Sequence, residues 1–232
     1  MVEGLSRDKE PKKTGNLKLV SLSELLKNDS LLKSYINCYI SVFDANKSKE
    51  FGEDKSQWDE VWDEEKVLNM LMKIDSQGSD EYLNLFLNEQ EEVVGFAHAY
   101  FVDNIGNITD LPKNFKDDDI KKDVVESALR FFPDVDSVLA VREFGMRADN
   151  RGGLEKLINL VVPLFKKAKL SGVNHFCFWT SKDSNLYKIS QLFGFTEVYN
   201  FGSKEQDNTS NLLYFVSSID KFFEKVKELS QK

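Results

Sequence analysis

Cysteine is scarce: the chain of 232 residues holds two, Cys38 and Cys177, both in apolar surroundings. Two such thiols make no disulfide framework, so burial of apolar surface must hold the core. Histidine is equally rare, with His98 and His175. Neither the count nor the spacing of these residues suggests a metal site. No apolar run approaches the roughly 20 residues that a membrane helix needs. The N-terminus is charged with no apolar segment behind it, so no secretory signal is read there, and a cytoplasmic location is expected. Clustered positive charge is missing too: 31 Lys and Arg against 39 Asp and Glu give a net charge of −8. That balance excludes nucleic acid as the expected partner, because phosphate backbones are bound by concentrated cations.

What the chain does have is apolar bulk. Hydrophobic residues make up 41%, and 18 are Phe, enough for one sizeable aromatic-rich core. Residues 1–16 are polar and without periodicity, which reads as a mobile tail. Leu17 to Leu22 alternates as a strand. Ser23 to Phe43 follows with Leu31, Leu32, Tyr35, Ile36, Tyr39, Ile40 and Phe43 on one helical face. A break at Asn28-Asp29-Ser30, with Asp29 or Ser30 as cap, would split that helix.

Asp44 to Asp63 is a loop, and Glu64 to Ile74 a helix. Between and around Trp58 and Trp62 stand Asp54, Asp59, Glu60, Asp63, Glu64 and Glu65. They suit either a cation-binding lip or a solvated loop running into an acidic helix start. Glu81 to Leu87 and Glu92 to Val102 form a hairpin. Its second strand sets Gly95, Ala97 and Ala99 on one face and Phe96, His98 and Tyr100 on the other. His98 reads either as an acid–base group or as a packed, hydrogen-bonded strand residue, and so does His175. Residues 104–136 are longer than a strand connection needs, and Asp117 to Phe132 within them reads as an inserted helix. At the far end, Thr196 to Phe201 and Leu212 to Ser217 pair as strands. A helix from Ser218 then carries Ile219, Phe222, Phe223, Val226 and Leu229 as a stripe. That stripe fits either the same domain or a second copy in a homodimer.

The organising stretch runs from Val138 to Phe195. A β-branched strand, VLAVREFGM, meets Arg151-Gly152-Gly153. Beyond the glycines, Leu154, Leu157, Ile158, Val161, Val162 and Phe165 recur at helical spacing. A strand feeding a glycine turn and then a helix aims backbone N–H groups and a positive helix end at one spot, which suits a phosphate-bearing ligand. The turn is no P-loop, having no Gly-Lys-Ser/Thr end.

This stretch resembles the GNAT superfamily of acetyl-coenzyme A-dependent N-acyltransferases. Glu143-Phe144-Gly145-Met146 takes the position of the family's central strand, Arg151-Gly152-Gly153 that of its glycine loop, and Gly194-Phe195 that of its closing pair. The resemblance implies an α/β fold with a central mixed, mostly antiparallel sheet flanked by helices, forming one domain over residues 17–232 with the insertion at 104–136. It implies acetyl-CoA as cosubstrate, no metal, and an amine-bearing small molecule or peptide as acceptor. It also implies backbone contacts from Phe144, Gly145, Met146 and Arg147 to the acyl and pantetheine parts, with Gly145 letting the strand bend or bulge. Arg151, Gly152, Gly153 and Leu154 would hold the coenzyme phosphates, and Glu143 would be the base, unless it is spent in an ion pair with Arg142 or Arg147.

Two departures stand out. Glu155 falls where the family has its third loop glycine. A carboxylate there, about 6 Å from a phosphate, costs roughly 3 kcal/mol if it points inward, whereas outward it suits the helix dipole. Ser190 stands where the family's Tyr protonates the leaving thiolate; Tyr187, one turn earlier, reads either as that phenol with the helix shifted by about a turn or as a packing residue beside Leu186 and Ile189. Two readings follow: an N-acetyltransferase acting on a primary amine, or a GNAT-like domain that binds coenzyme A or a protein partner with little turnover.

Overall fold

The computed structural model describes residues 16–43, 61–78, 80–109, 111–112, 115, 117–150, 153–203 and 211–231. The expected tail before residue 16, the loop with Trp58, Asp54, Asp59 and Glu60, and Arg151 and Gly152 lie outside the described residues.

In chain order the elements are β1 (Asn16–Ser21), α1 (Leu22–Leu26), α2 (Asp29–Phe43), α3 (Glu64–Ser76), β2 (Glu81–Leu87), β3 (Val93–Val102) and α4 (Asp118–Phe131). Then come β4 (Val138–Met146), α5 (Gly153–Leu170), β5 (His175–Ser181), α6 (Asn185–Phe193), β6 (Thr196–Asn200), β7 (Leu212–Ser218) and α7 (Ile219–Leu229). Short polar side chains set most of the boundaries. Ser21 ends β1 and opens α1 through a capping box with Glu24. The break before α2 is present, but the cap is Asn28, whose Oδ1 accepts from the Leu31 N–H at 3.0 Å. Asp29 and Ser30 therefore lie inside the first turn rather than capping it. Asp63, Asp117, Ser184 and Ser218 cap α3, α4, α6 and α7 in the same way. Gly194, at φ 64°, closes α6 in the left-handed region, and the Phe195 N–H returns to the Ser190 carbonyl.

The strands form one seven-stranded sheet in the order β1-β2-β3-β4-β5-β7-β6. All neighbours are antiparallel except β4 and β5. The sheet is mixed, mostly antiparallel and flanked by helices on both faces, as the resemblance implied. On one face α5, α6 and α7 cover Ala97 and Ala99 of β3, Leu139 and Val141 of β4, and Phe176 and Phe178 of β5. On the other face α1 to α3 bury Tyr35, Tyr39 and Phe96 beside β1 to β3. The connection that reads as an insertion covers the rest of this second face. There Val124 and Ala128 of α4 pack over Tyr100, Val138 and Phe201. The α7 stripe docks at home, with Ile219 and Phe222 buried and Phe222 4.7 Å from Phe165.

Candidate active site

The geometry that matters is a fork. β4 and β5 pair only at Val138–His175, Leu139–Phe176 and Ala140–Cys177. Past Ala140 the two strands part, while β4 continues to Met146 and β5 to Ser181. A bulge coincides with the parting: His98 of β3 faces Glu143, but Ala99 faces Val141, so Arg142 is an extra residue in β4. Such an insertion bends the strand and raises its twist. The Arg142 guanidinium reaches the Glu81 carboxylate at 2.9 Å and lies 4.6 Å from the centre of the Tyr100 ring. Bending was expected at Gly145, and the bulge lies three residues earlier. Gly145 serves a different need, since a Cβ there would stand 2.6 Å from Val42 Cγ1 of α2.

Register decides which amides of β4 face the fork. The Arg147 N–H donates to the Val94 carbonyl at 2.9 Å. Antiparallel ladders alternate, so Gly145 also turns its N–H to β3, whereas Phe144 and Met146 turn theirs toward the gap left by β5. Of the four residues expected to offer main-chain donors, these two are the ones oriented for it.

Side chains alternate as well. Phe144 and Met146 join the apolar cluster beneath α5. Glu143 projects to the opposite face, where the Tyr39 hydroxyl of α2 donates to its Oε1 at 2.9 Å. The Tyr39 ring stacks on Phe96 at 5.7 Å and meets Trp62 edge-on at 5.1 Å. Nearby, His98 contacts Glu81 through Nε2, and both side chains are fully buried. Burial, followed by the Glu143 charge, pushes the Tyr35 hydroxyl well above the usual tyrosine range. The fork thus has a carboxylate on one face and a buried row of charged and aromatic groups around it.

The opposite face of the fork is apolar. A narrow apolar groove runs between β4, β5 and α5 to α7, lined by Phe144, Leu154, Phe178, Leu186 and Ile189 among others. At its α5 end Gly153 has φ +76°, with no atom within 4 Å of where a Cβ would be. Glu155 is exposed in the first turn of α5. Lys156 donates from Nζ to the Asn150 carbonyl, and the Asn150 N–H bonds the Arg147 carbonyl at 2.9 Å. Those contacts tether the approach to the helix.

No protein-family model and no curated protein matches the sequence. Solved structures do resemble it. Apo FdhC, a nucleotide-linked sugar GNAT, superposes with a TM-score of 0.50 at 11% identity, over 94% of this chain and 93% of that one. Arylalkylamine N-acetyltransferase 2 from Aedes aegypti does so with a TM-score of 0.50 at 14% identity, over 88% of this chain and 99% of that one. The chain has the GNAT fold.

Within the GNAT fold the expected site residues fall into distinct places. Glu143, Phe144, Gly145, Met146 and Arg147 run along the diverging end of β4, and Gly153 and Leu154 open α5 beside the groove. Tyr187 is half-buried on α6, its ring 6.4 Å from Phe215. Ser190 is fully buried, and its hydroxyl donates to the Leu186 carbonyl at 2.8 Å, so its one proton is committed to its own helix. His175 stands at the closed end of β5, two residues before the fork opens and paired with Val138, with burial lowering its pKa. In the sequence Tyr39 shows only as part of an apolar helix face. Its chemistry is invisible there because its partner is 104 residues away. Among the described residues no cluster of His, Cys, Asp or Glu is arranged to hold a metal, and no helix is long and apolar enough to cross a membrane.

Proposed function

We propose that this chain is an N-acetyltransferase that moves an acetyl group from acetyl-CoA to a primary amine of a small molecule or peptide. The observation that carries the reading is the end of β4. Consecutive residues there put the Glu143 carboxylate on one face of the fork and the amides of Phe144 and Met146 at its open edge.

An ammonium with a free pKa of about 10.4 must lose a proton before it can attack a thioester. Glu143 takes that proton. The Phe144 and Met146 amides hold the acyl carbonyl and meet the charge that develops on its oxygen. The apolar groove, with Leu154 at its mouth, shields the pantetheine arm. Arg151, Gly152 and Gly153 hold the pyrophosphate at the start of α5, where the helix dipole favours an anion. Tyr187 is the phenol on α6 assigned to return a proton to the leaving thiolate. Cys38 and Cys177 are both buried, which fits a reducing setting.

The direct test is a thermal-shift titration with acetyl-CoA, followed by acetyl transfer to 2-phenylethylamine and to a lysine peptide. Ligand at about 100 times its dissociation constant stabilises by about 2.7 kcal/mol, a rise of roughly 5 to 10 °C for a chain of this size. A saturable rise with turnover supports the enzyme. A rise without turnover supports the second reading, a coenzyme-binding or interaction module, which the engaged Ser190 hydroxyl favours. No rise up to millimolar ligand defeats both coenzyme readings.

A further inference from the structure

We propose that Tyr39 is the positioning residue for Glu143, holding the carboxylate in the orientation and charge state that the transfer requires. The proposal rests on the reading of Glu143 as base, and its physical content can be tested apart from that reading.

The contact spans the fold: Tyr39 lies on α2, Glu143 on β4, and the hydroxyl donates to Oε1 at 2.9 Å. The ring has little freedom to do anything else. It is 1% exposed and is packed against Phe43 at 4.8 Å, Trp62 at 5.1 Å, Phe96 at 5.7 Å and Tyr35 at 6.1 Å. A phenol confined on so many sides keeps its oxygen beside Glu143 at small entropic cost, and the other acceptor in reach, Met70 Sδ at 3.7 Å, is the longer and weaker one. The helix bearing it is itself anchored to the sheet on either side of Tyr39. Ser34 Oγ accepts from the Val93 N–H at 2.7 Å. Val42 packs into the space that Gly145 leaves open.

A donated hydrogen bond favours the ionised carboxylate and orients its oxygens. During transfer the amine's proton passes to the Glu143 carboxylate, while Tyr39 keeps its own proton throughout. It therefore acts through Glu143 and not on the substrate.

Tyr39→Phe removes the hydroxyl and keeps the ring. With acetyl-CoA and 2-phenylethylamine, kcat should fall about 10-fold, the scale of one hydrogen bond to a charged group. KM for acetyl-CoA should hold, and the acidic limb of kcat/KM should move to higher pH. An unchanged limb with unchanged kcat overturns the proposal. A second measurement needs no turnover: titration of the Glu143 carboxyl by carbon-13 NMR in the free protein. Tyr39→Phe should move the midpoint up, and 3-fluorotyrosine at position 39, a stronger donor on the same ring, should move it down. Midpoints that coincide in all three proteins overturn the proposal. Midpoints that move in a protein with no acetyl transfer leave Tyr39 as the group that holds Glu143, and it is the enzymatic reading that fails.

Discussion

Asn84 of β2 repairs what Pro163 takes from α5. Proline has no N–H, so the Asn159 carbonyl one turn earlier loses its helical donor. The Asn84 side chain, fully buried, donates to that carbonyl at 3.2 Å and to the Leu160 carbonyl at 2.7 Å. One amide thereby satisfies the helix and fixes it on the sheet, which sets where the glycine-led start of α5 meets the fork.

Replacing Asn84 with Leu should therefore be costly. The apolar side chain leaves the half-buried Asn159 carbonyl without its donor and covers it from water, at about 2 kcal/mol, or a fall in Tm of about 4 to 8 °C. In a Pro163→Ala background the restored N–H serves Asn159, and Asn84→Leu should cost much less. Thermal unfolding of the two single variants and the double variant measures that coupling. Additive losses would mean that Asn84 and Pro163 act independently.

Gly145 and Val42 make a second dependent pair. A Cβ at position 145 would stand 2.6 Å from Val42 Cγ1 and 3.3 Å from Cγ2. Valine is stiff at χ1 and cannot swing clear, so β4 and α2 must separate. Gly145→Ala should destabilise by about 1–3 kcal/mol, as overpacked cores do, and Val42→Ala should recover most of it. Urea midpoints of the four proteins test this. Because Tyr39 rides on the same helix, turnover should fall and recover together with stability.

Alkaline pH should weaken the fold through two groups beside the fork. Burial, then the charge of Glu143, raises the Tyr35 hydroxyl well above 10.0, and burial raises the Cys38 thiol to about 12 from 9.0. The unfolded chain releases these protons at about pH 9 to 10 while the folded chain keeps them. Stability is thus intact below about pH 9 and falls as pH rises, by about 1.4 kcal/mol per unit for each group. Urea unfolding from pH 8 to 11.5 should show that slope, and Tyr35→Phe and Cys38→Ala together should flatten it. At pH 7 Tyr35→Phe should cost little, because the Tyr35 hydroxyl has no hydrogen-bond partner among the described residues.

How much of this was legible in the sequence follows from the range of each interaction. The apolar run from Val138 to Met146 marks β4 from end to end, and the alternation on β3 correctly separates Ala97 and Ala99 from Phe96, His98 and Tyr100. These are local periodicities. The fork was not legible, because nothing in the composition of β5 says that its pairing with β4 stops at Cys177. Nor was the bulge. Arg142 is defined as the extra residue by register against β3 and is held by Glu81, 61 residues away. The split of roles along β4 has the same origin, since counting residues cannot show that the Arg147 amide is turned toward Val94. Ser190 and Tyr187 sit one helical turn apart, and their difference appears only when the Ser190 hydroxyl is traced to Leu186.

Glu143→Gln separates catalysis from architecture most cleanly. Glutamine keeps the size of the side chain and an oxygen that accepts from the Tyr39 hydroxyl, so the 2.9 Å contact and the packing around it survive. What it loses is the capacity to take a proton at neutral pH. If Glu143 is the base, kcat should drop by about 100-fold or more, the usual share of general-base catalysis. Acetyl-CoA affinity should stay within about 2-fold, or about 0.4 kcal/mol of binding free energy, because the groove and the start of α5 lie on the other face of the sheet. Thermal unfolding should be nearly unchanged. Rates equal to those of the unaltered chain would remove Glu143 from the mechanism. A matching loss of coenzyme binding would show instead that the carboxylate shapes the fork from which both faces are built.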